Sequence, residues 1–454
     1  MIIFLAGCTV HNVDKTPLPS IQAPADFSIK DDETNAKEFW QPWWESLGRP
    51  ALNELIEHSL IQNQNVAQAV AVLKQAQAIS VQTGTEQLPQ FDLRGDVDKE
   101  WKRGEAQRGV FEIGGALSWE ADIWDRIGSA AFADGAEAVA RAEDIKTVKL
   151  ALSAEIANAY FGVVAARQRI ELLKEQVKLD LELQGLLQLR LDNGVGTNVD
   201  VLQQKARVAD SETLIPLAEA DEAVFENRLD VLTGEMPDGK FRVPDLETLS
   251  FTDHIPAISV PAALLLNRPD LRAAQAKLVA SDADIAAAIS DRLPRVVLDG
   301  SYIFSDTASF TGPVAMIMGS FVQPLLDWGR RKAEVERNKA LYEERLASYT
   351  QLFLEAVEAV ESALIRETKQ REYLERLKAQ KDILQETVSA SEDRYTQGID
   401  DYLPVINALQ ELRQVERNLI TEQRNLLSIR IDLFRAIGGP VRPVVEKDNN
   451  DEDF

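Results

Sequence analysis

The stretch "RLDNGVGTNVDVLQQ", residues 190–204, reads as a turn between two polar helices, and nearly the same pattern returns as "RYTQGIDDYLPVINA" at 394–408. An offset of 204 residues brings Arg190 onto Arg394, Gly194 onto Gly398 and Val201 onto Val405. The match continues outward. Leu88-Pro89 answers Leu293-Pro294 and Gly95 answers Gly300, both at an offset of 205. Trp124, Arg126, Leu229, Leu232 and Gly234 answer Trp328, Arg330, Leu433, Ala436 and Gly438 at 204. A nearly constant offset over so much chain marks one architecture built twice. Two tandem structural repeats are therefore expected, at residues 45–240 and 255–440.

Each repeat runs through the same order. A first helix, expected over about 50–84 and again over 258–290, ends just before the Leu-Pro pair, where proline stops a helix and favours extended chain. Two strands follow. In the first, 91–101, Phe91, Leu93, Gly95, Val97 and Trp101 alternate with Asp92, Arg94, Asp96, Asp98 and Glu100. That is a period of two, with an apolar face and a heavily charged one. Its partner, 109–119, sets Phe111, Ile113, Leu117 and Trp119 against Glu112, Gly114 and Ser118. In the second repeat the strands are 296–304, with Val296, Leu298, Tyr302 and Phe304 opposite Asp299 and Ser301, and 313–323, too uniformly apolar for its facing to be read. Apolar-out, charged-in hairpins fit a barrel wall between lipid and water. Four strands are too few to close a polar-lined pore, whereas three copies supply twelve.

Long helices come next. Ile145, Val148, Leu152, Ile156, Ala159, Val163, Ala166, Ile170, Leu173, Val177 and Leu181 recur at steps of three and four within 128–191. Leu346, Tyr349, Phe353, Val357, Val360 and Leu364 repeat the pattern, which resumes at Leu374 and Leu377. Sustained spacing near 3.5 predicts coiled-coil packing. Ala356, Ala359 and Ala363 add close contacts on a second flank. After each turn a return helix is expected, at 198–233 and 402–437. The fold class is thus mainly α with a β-barrel portion.

Composition limits what such a chain does. Of 454 residues 45% are apolar but only 7% aromatic, and the net charge is −25, with no concentrated basic face for nucleic acid. No run of 18 or more apolar residues reads as a transmembrane helix, which says nothing against short barrel strands. There is no phosphate-binding glycine loop, nucleophile–base pairing or metal-ligand spacing, so neither an enzyme nor a cofactor is expected. His11, His58 and His254 are scattered.

The single cysteine, Cys8, stands in Leu5-Ala6-Gly7-Cys8, the pattern of a lipoprotein cleavage site whose thiol takes a diacylglycerol. Residues 1–8 are read as a shortened lipoprotein signal, since only Met1 to Leu5 precede the small residues. Residues 9–44, with Pro17, Pro19 and Pro24, are expected to form a tether, and 441–454 an acidic disordered tail.

At this point the chain resembles the TolC-like outer-membrane efflux proteins, in their lipoprotein branch serving tripartite drug pumps. "LAGC", "WWESLGRPALNELIEHSL", "LSWEADIWDR", "LLNRPDLRAAQAKL", "FVQPLLDWGRRKAEV" and the paired turns carry the resemblance, in order, over about residues 40–440. It implies a homotrimer with a 12-stranded outer-membrane barrel above a periplasmic barrel of coiled helices that tapers to a closed tip. The partners it implies are outer-membrane lipid, a periplasmic adaptor and an inner-membrane transporter.

The two turns then become alternating lobes of the tip. Gly194, Val195, Gly196, Thr197 and Gly398 would dock the adaptor. Asp200 and Tyr395 match the family's aspartate–tyrosine contact between hairpins, and with Asp400, Asp401 and Asn407 they are the candidate gate. Pro404 and Asn407 stand where relatives often carry ring aspartates, which displaces the acid into the turn. A type I protein-secretion or cation-export duct, and a soluble coiled-coil scaffold, are the other readings open to the sequence.

Overall fold

The computed structural model describes residues 10–21, 24, 27, 42–99, 109–244, 248, 249, 267–306 and 311–439. Cys8, Trp101, His254 and the acidic tail lie outside these. The chain forms two compact units. One comprises Met1–Gln22, Gln68–Ile145 and Pro269–Leu354, and the other Ala23–Ala67, Lys146–Arg268 and Glu355–Phe454.

The first unit holds a four-stranded antiparallel sheet in the order β1 (Gln90–Lys99), β2 (Gly109–Ala121), β3 (Arg295–Asp306), β4 (Thr311–Val322). Directly opposed residues share a face. The register Val97↔Phe111, Phe91↔Leu117, Ile113↔Phe304 and Trp119↔Leu298 therefore gathers the predicted apolar residues on one side. That side is uncovered, with Phe91, Leu93 and Val97 72–76% exposed. The opposite side carries Asp92, Arg94, Asp96, Glu112 and Asp299, cross-braced where Ser305 Oγ donates to Glu112 Oε1 at 2.8 Å and Ser118 Oγ to Asp299 Oδ1 at 2.7 Å.

Register also resolves β4. Tyr302↔Ala315 and Val296↔Phe321 put Ile317 and Phe321 on the apolar side, leaving Val314, Met316 and Met318 among the charges. Gly114 is dictated by packing, because a Cβ there would stand 2.2 Å from the Tyr302 carbonyl oxygen. Neither β1 nor β4 has a strand on its outer edge among the described residues.

Strand gives way to helix through fixed polar contacts. Asp122 accepts the amides of Arg126 and Gly128 at 2.7 Å each, capping the N-terminus of the long helix that begins at Arg126. Glu120 holds the Arg126 guanidinium at 3.0 Å, and Trp124 Nε1 donates to the Pro294 carbonyl at 2.8 Å. In the second repeat Asp327 takes the cap, accepting from Gly329 and Arg331 amides.

Residues 10–21 are not a free tether. Asp282, 8% exposed, accepts from His11 Nε2 and from the Asp14 amide, both at 2.7 Å, and Gln275 Nε2 donates to the Pro17 carbonyl. Composition predicted solvated chain, but one buried carboxylate collecting two donors fixes it.

The helices are α1 (Pro50–Gln62), α2 (Gln64–Thr85), α3 (Arg126–Asp192), α4 (Asn198–Thr233), α5 (Pro269–Ser290), α6 (Arg330–Thr396) and α7 (Leu403–Ala436). Both α3 and α6 run for 67 residues, roughly 100 Å at about 1.5 Å per residue. Their bounds differ by the same 204 that relates the turns.

The single helix expected over 50–84 is two. Asn63 turns extended between α1 and α2, its Nδ2 donating to the Leu232 carbonyl at 2.8 Å and its Oδ1 accepting the Asn65 amide. An asparagine that satisfies two backbone groups out of helical conformation outcompetes continuation. The second repeat does the same with another residue: Arg268, just before α5, donates to the Ala436 carbonyl at 2.8 Å. Of the helix expected over 258–290, α5 is the described part; residue 267 is helical too, and residues 258–266 lie outside the described set.

The coiled stripe is buried as predicted at Ile156, Val163, Leu173, Tyr349, Phe353, Val360 and Leu364. Ala356 and Ala363 are buried too, but Ala359 is exposed. One 18-residue window of α3 is apolar enough to cross a membrane, yet 72% of it is buried, so it is a core segment. Beyond Leu173 the expected stripe fails. Val177 is only half-buried and Leu181 is exposed, while Gln176 and Asp180 take the interior.

Candidate functional site

The two quoted turns are built alike. After α3, the Gly194 amide donates to the Leu191 carbonyl and the Val195 amide to the Arg190 carbonyl. After α6, Gly398 donates to Tyr395 and Ile399 to Arg394. Each is a helix stop whose pivot must be left-handed, and Gly194 and Gly398 sit at φ +74° and +72°. Gly196 is glycine for another reason: a Cβ would meet the Leu191 amide nitrogen at 3.0 Å. Val195 and Ile399 project outward, 66% and 56% exposed.

The turns differ in how they use charge. Asp200 closes a capping box with Thr197, whose hydroxyl accepts the Asp200 amide at 3.2 Å while the Asp200 carboxylate takes the Thr197 amide. Within the chain Asp200 makes no hydrogen bond to Tyr395, although its charge lies near enough to help raise the Tyr395 phenol. The Tyr395 ring instead lies under the Arg190 guanidinium at 4.4 Å and against Tyr402 at 5.2 Å, and its hydroxyl has no hydrogen-bond partner among the described residues. Burial pushes the Tyr395 phenol up, so it stays neutral. Asp400, expected as ring charge, accepts from Nε and Nη2 of Arg394, which holds its carboxyl below the usual range. Asp401 accepts the Leu403 amide at 3.2 Å and Asn407 is exposed.

Beneath the turns Leu187, Val201, Tyr402 and Val405 form an apolar core. Under it lies a polar network that periodicity did not predict. Asp180, wholly buried, receives Arg413 Nη1, Gln204 Nε2 at 2.9 Å and Ser211 Oγ at 3.1 Å. Gln204 in turn accepts the Tyr402 hydroxyl at 3.0 Å, whose proton burial makes very hard to remove. The network ties α3, α4 and α7 together. The repeat symmetry breaks here, for the equivalents of Asp180 and Gln204 at offset 204 are the apolar Leu384 and Ala408. That substitution was the available signal: polar residues on the ladder that continues from Leu173.

His11 pairs with Asp282, and His58 Nε2 lies 3.7 Å from Glu235 Oε1. Among the described residues no group of histidine, cysteine and acidic side chains has metal-binding geometry.

The sequence matches the profile of the outer membrane efflux protein family over residues 55–235 and again over 260–439. The chain belongs to that family. It is 27% identical over 421 residues to the pyoverdine export outer membrane protein OpmQ of Pseudomonas putida, covering 88% of each. It is 25% identical to the probable outer membrane lipoprotein SilC of Salmonella typhimurium, covering 96% of this chain and 97% of SilC. Among solved structures, the outer-membrane channel OprN superposes with a TM-score of 0.82 at 27% identity, over 95% of this chain and 99% of OprN. The chain is thus an outer-membrane efflux channel, and the repeat seen in the turns is the family's tandem architecture.

Proposed function

We propose that three copies close a twelve-stranded barrel, β1 of one protomer pairing with β4 of the next, to make an exit duct for small molecules. The observation that carries this reading is the sheet itself. Among the described residues it has two unpaired edges and a bare apolar face, and a wall in lipid must satisfy every backbone group internally. In this reading the chain comprises a lipobox at 1–8, an N-terminal segment at 9–44, repeats at 45–240 and 255–440, and a tail at 441–454.

The turns at 190–204 and 394–408 form the lobes of a gate. Val195 and Ile399, presented on the Gly194 and Gly398 pivots beside Gly196 and Thr197, offer an apolar contact to a periplasmic adaptor that links the duct to an inner-membrane transporter. Tyr395, held by Arg190, keeps a buried hydroxyl without an acceptor among the described residues, and Asp200 of the neighbouring protomer is the acceptor we assign to it. Asp400, Asp401 and Asn407 shape the second lobe rather than form an acid ring, since Asp400 is neutralised by Arg394. Cys8 carries the lipid anchor, for which the LAGC pattern and the lipoprotein relative SilC speak.

The test is a strain deleted for the gene. It accumulates a fluorescent dye, and the wild-type gene restores efflux. In planar bilayers the Tyr395→Ala protein conducts several-fold more than wild type if the lobes gate. Unrestored efflux would refute the duct, and unchanged conductance would refute the gate.

A further inference from the structure

In a chain with 74 acidic and 49 basic side chains, four arginines converge on one groove. Arg169 of α3, Arg207 of α4, and Arg413 and Arg417 of α7 line a cleft of about 890 Å³ in the second unit. Two acids, Asp210 and Glu411, share it. Arg413 is committed to Asp180. The other three are short of counter-charge. Arg207 Nη2 donates to the Gln410 amide oxygen at 3.0 Å, and Arg417 donates to Gln176 at 3.1 Å and Gln414 at 2.8 Å, all neutral acceptors. Neither forms an ion pair among the described residues. Arg169 reaches only Asp221, at 4.0 Å, and its Nε has no acceptor among those residues.

Burial, with Arg169, Arg413 and Arg207 close by, holds the Arg417 guanidinium below its ordinary value, Asp210 opposing in part. Like charges held together at a desolvation cost are a standing demand for an anion. Glutamine carbonyls orient the forks without quenching them. Planar guanidinium forks match oxyanions bidentately.

We propose that this groove binds a small multivalent oxyanion, held by Arg207 and Arg417 with Arg169 closing the far side. The inference goes beyond the duct reading and stands whether or not that reading holds, because binding is measured on the purified protein.

The full chain, purified in detergent, is titrated calorimetrically with inorganic pyrophosphate and, separately, with citrate, at low and high salt. One saturable site per chain is expected, weakening as salt rises. Whichever probe binds tighter tells phosphate from carboxylate chemistry. Arg417→Gln and Arg207→Gln should each weaken binding on the order of tenfold. Arg376→Gln, an exposed arginine paired with Glu372 outside the groove, should leave it unchanged. Arg207 is half-exposed, so Arg207→Gln serves if Arg417→Gln fails to fold. Absence of saturable binding by both probes, or equal binding by the wild type and Arg207→Gln, would overturn the proposal.

Discussion

Asp180 and Arg413 show how much a single buried position decides. Removing one partner leaves an uncompensated charge, and Arg413→Ala should destabilise by about 3–5 kcal/mol. Replacing both members with leucine, the residue that stands at 384 in place of Asp180, should recover most of that loss; melting temperatures of the three proteins in detergent decide it. Asp400 responds to pH. Its folded pKa is depressed by Arg394, so its contribution is present above the usual carboxylate range near 4 and fades as pH falls through the lower folded value. Bilayer conductance should therefore rise on acidification below about pH 4, and the part due to this brace should be missing in Asp400→Asn. Asp200, Tyr395 and Asp400 are legible in the sequence as candidates, but their partners are not. Motif matching assigns positions, whereas the Arg190 stack and the Arg394 fork depend on where side chains end up.

The elements were legible because their signals are long. Alternation placed three strands, and an apolar run the fourth, within a few residues of the ends among the described residues, and the 204-residue offset carried over to both bounds of α3 and α6. What escaped was local. A lone Asn63 ended α1 through a bond to a carbonyl far along the chain, and the ladder past Leu173 turned polar without leaving the interior. Glycines test the same point. Ala at 194 meets nothing and suffers only the left-handed backbone, about 1 kcal/mol. Ala at 234, at φ +84°, also drives a methyl to 2.8 Å from the Gln62 carbonyl oxygen, so Gly234→Ala should lower the melting temperature more than Gly194→Ala. Gly114→Ala should abolish barrel insertion, read as loss of the protein from the outer-membrane fraction, because the clash is with backbone.

For the whole molecule, a single chain cannot be the working unit if the sheet is a membrane wall. The two edges and the apolar face left bare among the described residues are an unstable surface in water and an incomplete one in lipid. A duct built from this sheet requires the trimer, with one new strand interface, β1 against β4. Single-particle imaging of the detergent-extracted protein measures this at a stroke. A three-fold hollow particle with twelve strands around its detergent-bound end is expected. A monomer or dimer, or a sheet whose β1 and β4 edges stay open, would contradict it.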